Sequence, residues 1–395
     1  MKILILNPNL IGGGTYVRSF YFSRELARHG HQVTLMTVAT DSTKKPKVYY
    51  KRDWLDCSAK SNGEGPWFRV IEGPNLGYHW LPGWGSGPLD ISLRIKEIRQ
   101  GNYNVIYGFE HHPNVAWPVY FTRGSRQYRF FSDWCDWYAG VSNHLGGNKL
   151  AHKIDGYFEE QIRFKAQKVS VISQVLGERA RAIGIPESRV VHIPEGVATE
   201  YFPTVPQLES RRLLGIPEGL PVVLTSNDWE AEQQIRIIAQ TRQVVPEALF
   251  LFIGKPSIGA PQLAERFNVS DRIIFTGWVS DENYPHYLNA ADVCFLPLAD
   301  TLLHRARWPS KILDYLAAAR PVVTNNVGEV GLLFRQHEIG LLVGHNEKEF
   351  AQGIVSLIKD KEYSRLLGER AREVMVEEWD WKILGKRIAR LVEEE

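Results

Sequence analysis

The chain has 395 residues, too many for one compact core, so two domains of ordinary size are expected. Hydrophobic residues make up 44%, charged residues 23%, and the formal net charge is +2, a globular balance that speaks against a nucleic-acid partner and against disorder. Cys57, Cys135 and Cys294 are too few and too scattered for a disulfide framework or a zinc knuckle, which fits a reducing cytoplasm.

Met1-Lys2-Ile3-Leu4-Ile5-Leu6 opens directly into a strand-like run, without the apolar core and cleavage site of a signal peptide. No apolar stretch approaches the roughly 20 residues that span a bilayer. The expected location is cytoplasmic, at most peripheral at the inner face of a membrane.

Lys2–Asn7 reads as a strand, Gly12-Gly13-Gly14 as a tight turn, Tyr16–His29 as a helix ending at Gly30, and Gln32–Thr37 as the next strand. This βαβ opening implies a parallel, doubly wound sheet. Residues 41–90 are rich in Gly, Pro, Trp and charge and read as inserted loops. Asn104–Tyr107, Tyr128–Phe131 and Lys168–Ile172 continue the sheet, followed by a helix over Leu176–Ile183. Near residue 195 the pattern starts over. Val190–Ile193 is a strand and Pro203–Pro206 a linker. Pro221–Thr225, Leu249–Ile253, Ile273–Thr276, Val293–Leu296, Pro321–Thr324 and Leu341–Val343 are the strands of a second α/β unit. The fold class is therefore α/β, with two Rossmann-like domains facing across a cleft. Ligands of such sheets sit at the carboxyl ends of the strands, so the cleft is the expected active site.

Five segments, taken together, resemble glycosyltransferase family 4. They are Gly12–Thr15 with the Arg28–Val33 turn; Val171-Ile172-Ser173, Gly184-Ile185-Pro186 and Ile193-Pro194-Glu195-Gly196-Val197; Phe275–Val279 with Ala290–Val293 and Phe295-Leu296-Pro297; Trp308–Ala317 with Arg320–Val323; and Trp379-Asp380-Trp381. Glu195 stands where the family usually has Asn. The resemblance implies the GT-B fold, with an acceptor-side domain over 1–194, a donor-binding domain over 195–375 and a C-terminal helix over 376–395 crossing back to the first domain. It also implies a retaining, metal-independent transfer of a hexosyl group from a nucleotide diphosphate-sugar to a glycan or lipid-linked acceptor. UDP is the expected nucleotide, on family frequency.

Such a donor needs a base slot, an acceptor for the ribose hydroxyls, and positive charge or N–H groups at the diphosphate. Pro309 suits a helix start, whose free N–H groups and dipole attract phosphate. Ser310 and Lys311 occupy its first turn, and Asp314 takes the place of the family's ribose-binding glutamate. The family's first carboxylate falls on Ala306, so Asp300 is the substitute. The family's Arg and Lys after the first strand of the second domain are missing from Ser226-Asn227-Asp228-Trp229-Glu230. Asn227 is kept there as a donor-side residue, and Arg305 and Arg307 are the replacement cations. Gly13 and Gly14 would let backbone approach the donor, and Val279 would line the base slot.

On the acceptor side, Glu110-His111-His112 and Asp133-Trp134-Cys135-Asp136-Trp137 follow strands. Glu110, His111, Asp133 and Asp136 are the candidates to touch the transferred sugar or the acceptor. In an extended backbone the two histidines would point to opposite sides. No Asp-X-Asp pair marks a metal, and no cofactor is expected. Lys44, Lys45, Lys47, Lys51 and Arg52, with Trp80–Trp84, suggest peripheral contact with an anionic membrane. The alternatives are a nucleotide-sugar epimerase of the same fold and a non-catalytic nucleotide-sugar-binding subunit. A nicotinamide dehydrogenase is disfavoured, because the G-x-G-x-x-G spacing is absent.

Overall fold

The computed structural model of the chain describes residues 1–54, 66–75, 87–138, 149–226, 230–257 and 259–394. The chain divides into two compact units. Unit 1 is Met1–Glu195 with Trp381–Glu395, and unit 2 is Gly196–Asp380.

Unit 1 is built on strands β1 (Lys2–Leu10), β2 (Gln32–Val38), β3 (Lys47–Lys51), β4 (Phe68–Gly73), β5 (Val105–Phe109), β6 (Arg129–Trp134), β7 (Lys168–Val171) and β8 (Val190–His192). Their order is β3-β4-β2-β1-β5-β6-β7-β8, and β3 alone runs antiparallel to its neighbour. The apolar run Ile3–Leu6 is fully buried, as expected of a central parallel strand covered on both faces. The expectation that 41–90 holds only loops is corrected. β3 and β4 lie within it, and β4 pairs with β2 from Thr34↔Arg69 to Val38↔Gly73. Charged Arg69 and Glu72 interrupt its apolar pattern.

The chain returns to unit 1 in the helix Trp381–Glu393. Trp381 is fully buried, stacked on Tyr21 at 5.4 Å and edge-on to Phe22 at 5.9 Å. A side chain at Gly385 would meet Glu25 at 2.7 Å, so the helix packs close upon Tyr16–Arg28. Arg387 donates to the His192 carbonyl at 2.7 Å. The return begins at Trp381 rather than 376. Residues Met375–Trp379 form a π-turn within unit 2, and the Asp380 carboxylate accepts from the Thr199 N–H and hydroxyl.

Unit 2 carries β9 (Val222–Ser226), β10 (Leu249–Ile253), β11 (Ile273–Gly277), β12 (Val293–Leu296), β13 (Val322–Asn325) and β14 (Gly340–Val343). The order is β11-β10-β9-β12-β13-β14, and every pair is parallel. Phe250, Phe252, Ile235, Ile238, Phe350 and Ile354 belong to its core. In both sheets the strand order reverses once, between β1 and β5 and between β9 and β12. Open parallel sheets hold their ligands at the carboxyl ends of strands flanking such a reversal.

Candidate functional site

In unit 2, the reversal point places Ser226 at the end of β9 and, after β12, two short helices, Leu302–Ala306 and Ser310–Ala317. The second helix starts as expected, with buried Pro309 at its N-cap and Ser310 exposed in its first turn. Lys311 and Asp314 are half-buried on its outward side, and Ile312, Leu313, Tyr315 and Leu316 face inward. The Tyr315 hydroxyl donates to Ser226 Oγ at 2.7 Å, which locks the helix to the end of β9. The Tyr284 hydroxyl donates to Asp314 Oδ2 at 3.2 Å. Burial, and then the Asp314 charge, push that phenol well above its ordinary range, so it stays a donor at every working pH. Asp314 is thereby oriented by a buried hydroxyl donor.

Asp300 and Arg305, expected at the sugar and at the phosphate, are engaged with each other in this structure. Their half-exposed side chains bind each other in a fork, 2.5 Å from Nε to Oδ1 and 2.7 Å from Nη2 to Oδ2. A surface pair of this kind contributes little and yields easily to a stronger partner. Arg307 lies 3.1 Å from His304 Nδ1, and His304 Nε2 lies 3.4 Å from Glu230. This chain ties the loop after β12 to the start of the helix following β9. Asn227 lies outside the described residues. Sequence reasoning missed Lys255, an exposed cation just past the end of β10, beside β9 in the sheet. Only the strand order puts it beside the end of β9.

At the far edge, Gly254 and Gly277 take left-handed backbone (φ 97° and 66°) and join by an N–H to carbonyl bond of 3.0 Å. Trp278 then projects into solvent, 86% exposed, with Val279 half-buried after it. Two roomy hollows of unit 2 lie away from these strand ends. One, of about 690 Å³, sits at the amino ends of β9, β12 and β13, against Pro221, Asp292 and Pro321. The other, of about 630 Å³, lies between Arg242, Phe267 and Asn346.

In unit 1, the turn after β1 has Gly12 and Gly14 at positive φ (77° and 51°). A side chain at Gly14 would meet Asn9 Nδ2 at 2.5 Å. Gly13 has neither constraint; a Cβ there would touch only the Leu10 carbonyl at 3.6 Å. The fold therefore demands glycine at 12 and 14 and leaves 13 to another requirement, such as the approach of a ligand. Asn7, Asn9, Thr15 and Thr37 hold the turn through bonds of 2.9–3.0 Å.

The acidic candidates of unit 1 are largely interior. Asp133 is fully buried. It takes a fork from Arg18 (2.8 and 3.1 Å), the Cys135 thiol at 2.7 Å and the Ser170 hydroxyl. Its expected contact with sugar hydroxyls is corrected, because its lone pairs are committed inside the fold. Arg18 also donates to the carbonyls of Ile193 and Pro194 (2.7 and 2.8 Å) and lies 3.6 Å from Glu195. One guanidinium thus serves two carboxyls, and burial pushes the more distant Glu195 up to about 7.

Glu110 is likewise corrected. It is fully buried, accepts from the N–H groups of Cys135 (2.8 Å) and Asp136 (3.1 Å), and pairs with Arg163 at 3.3 Å. Burial outweighs Arg163 and raises its carboxyl to about 8. Its backbone is left-handed (φ 60°), so the expected divergence of the histidines does not occur. His111 and His112 stack at 5.1 Å. His111 is almost wholly buried, with Nε2 3.1 Å from Asp155 and Nδ1 unpartnered among the described residues. Asp136 is half-buried and is the acid nearest solvent at these strand ends.

Among the described residues one group has metal-like spacing, Glu110, His111 and Glu159. Glu159 already accepts from Trp134 Nε1 (2.8 Å) and the Tyr138 N–H (3.2 Å), and Arg163 supplies the positive charge. These residues do not fit a cation well. In the basic loop, Lys47 pairs with Asp41 at 2.9 Å, Lys51 donates to the Trp54 carbonyl, and Arg52 lies over Trp67. Lys44 and Lys45 lie on the loop before β3, and Trp80–Trp84 lie outside the described residues. Cys135 and Cys294 are buried and unpaired.

Comparison with known proteins agrees with this architecture. Residues 12–201 match the model described as Glycosyltransferase Family 4, and 219–360 match Glycosyl transferases group 1. The chain is 21% identical over 259 residues to a putative teichuronic acid biosynthesis glycosyltransferase, TuaH, of Bacillus subtilis, covering 65% of this chain and 63% of TuaH. It is 25% identical over 237 residues to a GDP-mannose-dependent phosphatidylinositol monomannoside mannosyltransferase of Mycobacterium tuberculosis, covering 56% of this chain and 60% of that enzyme. These matches thus span about three fifths of each relative. Among solved structures, sucrose-phosphate synthase of Thermosynechococcus elongatus superposes with a TM-score of 0.75 at 19% identity, over 99% of this chain and 98% of that one. HepE of Anabaena, solved with UDP and glucose, gives 0.70 at 15%, with all of both chains covered. With both sheets of the GT-B fold in place and family models matching along both, this chain belongs to glycosyltransferase family 4.

Proposed function

We propose that the chain transfers a hexosyl group, with retention and without a metal, from a nucleotide diphosphate-sugar to a glycan or lipid-linked acceptor. The observation that carries this is the helix start at Ser310–Lys311, with Asp314 oriented by Tyr284 at the reversal point of unit 2. N–H groups and Lys311 would hold the diphosphate, Asp314 the ribose hydroxyls, and the segment around Trp278 and Val279 the base. The C–O bond to the diphosphate breaks as the acceptor oxygen bonds to the same carbon, and the departing diphosphate takes the acceptor proton. Lys255 and Arg307 would neutralise that leaving group, and Arg305 would join them once it leaves Asp300.

UDP is the proposed nucleotide, supported by the HepE complex, while the mannosyltransferase relative uses GDP-mannose. A thermal-shift series with UDP, GDP, ADP and dTDP, with and without EDTA, tests donor and metal together. A shift with one nucleotide, unchanged by EDTA and absent in Lys311→Ala and Asp314→Asn, is expected. No shift with any of them would favour a partner-dependent, non-catalytic role.

A further inference from the structure

Helix Lys149–Lys165 of unit 1 has its polarity reversed. Its inward side buries Gly156, Glu159, Ile162 and Arg163, while Ile154, Tyr157, Phe158 and Phe164 are exposed (37–60%). The inward charges have a reason, since Glu159 and Arg163 hold the ends of β5 and β6. The outward aromatics have none in the described structure. Helix Pro113–Thr122 repeats the feature, with Trp117, Tyr120 and Phe121 exposed at helical spacing. The two helices meet where Arg123 donates to the Lys165 carbonyl at 2.5 Å. Single exposed apolar residues are ordinary; seven on two touching helices form a patch that expects a cover.

The surrounding charge names the cover. Lys96 and Arg99 share with Phe121 a hollow of about 530 Å³. Arg126 follows one helix, and Lys153 and Lys165 lie on the other, exposed. None of these five has a carboxylate within ion-pair distance among the described residues. The acids of the second helix, by contrast, are engaged: Asp155 with His111, Glu160 with Arg179, and Glu159 in the interior. Exposed aromatic side chains accompanied by cations with no carboxylate partner among the described residues suit a headgroup layer of anionic lipid, where rings sit at the acyl boundary and cations on phosphates.

We propose that the face formed by helices Pro113–Thr122 and Lys149–Lys165 docks on the surface of an anionic bilayer. This rests on the transferase reading in one respect: Asp155 links the docked helix to His111 at the end of β5, which would bring a lipid-linked acceptor to the strand ends. The membrane contact moves accordingly from the basic loop at 44–52 to this face.

The test is co-sedimentation of the whole protein with phosphatidylcholine vesicles and with phosphatidylcholine–phosphatidylglycerol vesicles at low salt. Binding is expected only to the anionic vesicles, weakened by salt. It should fall about fivefold for each cation removed in Lys153→Gln and Lys165→Gln. Tyr157→Ser with Phe158→Ser should abolish it while leaving the melting temperature and the nucleotide-induced shift unchanged. Equal binding to both vesicles, binding to neither, or a dimer in sedimentation velocity that the aromatic variant dissociates would overturn the proposal. Vesicle binding without any nucleotide shift would uphold the docking face and sink the transferase reading; the converse would do the opposite.

Discussion

Glu195→Gln turns the shared guanidinium of unit 1 into a measurable pH dependence. Asp133 holds the fork of Arg18, and Glu195 is left with a 3.6 Å approach in an interior site. Its carboxyl is consequently raised from 4.5 to about 7. The native state holds this proton more tightly than the unfolded chain does. The resulting stability is complete below pH 4.5 and is lost as pH rises through about 7. The difference between the two states corresponds to about 3 kcal/mol. Glutamine keeps the shape and an acceptor oxygen but carries no ionisation cost. The variant should match the wild type near pH 4.5 and exceed it by up to about 3 kcal/mol at pH 8, or roughly 6–12 °C in the melting temperature of a unit this size. Melts followed by circular dichroism from pH 5 to 8.5 would show the gap widening. Glu110, raised to about 8, titrates in both proteins and cancels in the difference. A variant less stable than the wild type at pH 8 would refute the reasoning, because Arg18 would then be holding two ionised carboxylates at a net gain.

Lys311→Ala and Asp314→Asn should each weaken nucleotide binding at least tenfold, by calorimetry, with little change in melting temperature, since both side chains are only half-buried. Gly13→Ala should keep or slightly raise stability, by about 0.4–1 kcal/mol, yet lower transfer activity. Gly14→Ala should destabilise unit 1 by more than 1 kcal/mol, because its Cβ meets Asn9 and its φ is positive; chemical denaturation of the pair separates the two effects. Trp381→Ala should cost about 3–5 kcal/mol by removing a fully buried ring stacked on Tyr21.

The parallel strands were readable because a strand covered on both faces is an unbroken apolar run, as in Leu249–Ile253. β4 was not, because Arg69 and Glu72 break the run. The helix Ser310–Ala317 was legible from Pro309 and the residues after it, because a helix start is written in local spacing. Asp133 and Glu110 misled, because acids at strand ends look solvent-facing until their partners are known. Those partners, Arg18 and Arg163, lie 115 and 53 residues away. The histidine pair failed for a different reason: one left-handed residue, Glu110, cancelled the alternation on which the reading stood. Lys255 depended on β10 lying beside β9, a fact of sheet order rather than of spacing.

The helix Trp381–Glu393 makes unit 1 a host interrupted by a guest. The guest, Gly196–Asp380, leaves and re-enters at one place, where the Val197 N–H binds the Trp379 carbonyl at 3.0 Å. During synthesis the host must wait, with Tyr21 and Phe22 uncovered, until Trp381 arrives. At ordinary translation rates that is about 10–40 s after Glu195 has been made. The guest's contacts are all complete by Asp380, so it can fold first, and each nascent chain then carries a half-finished host tethered to a finished guest. Chaperone demand should concentrate in that interval, on the face of helix Tyr16–Arg28 that the last helix covers.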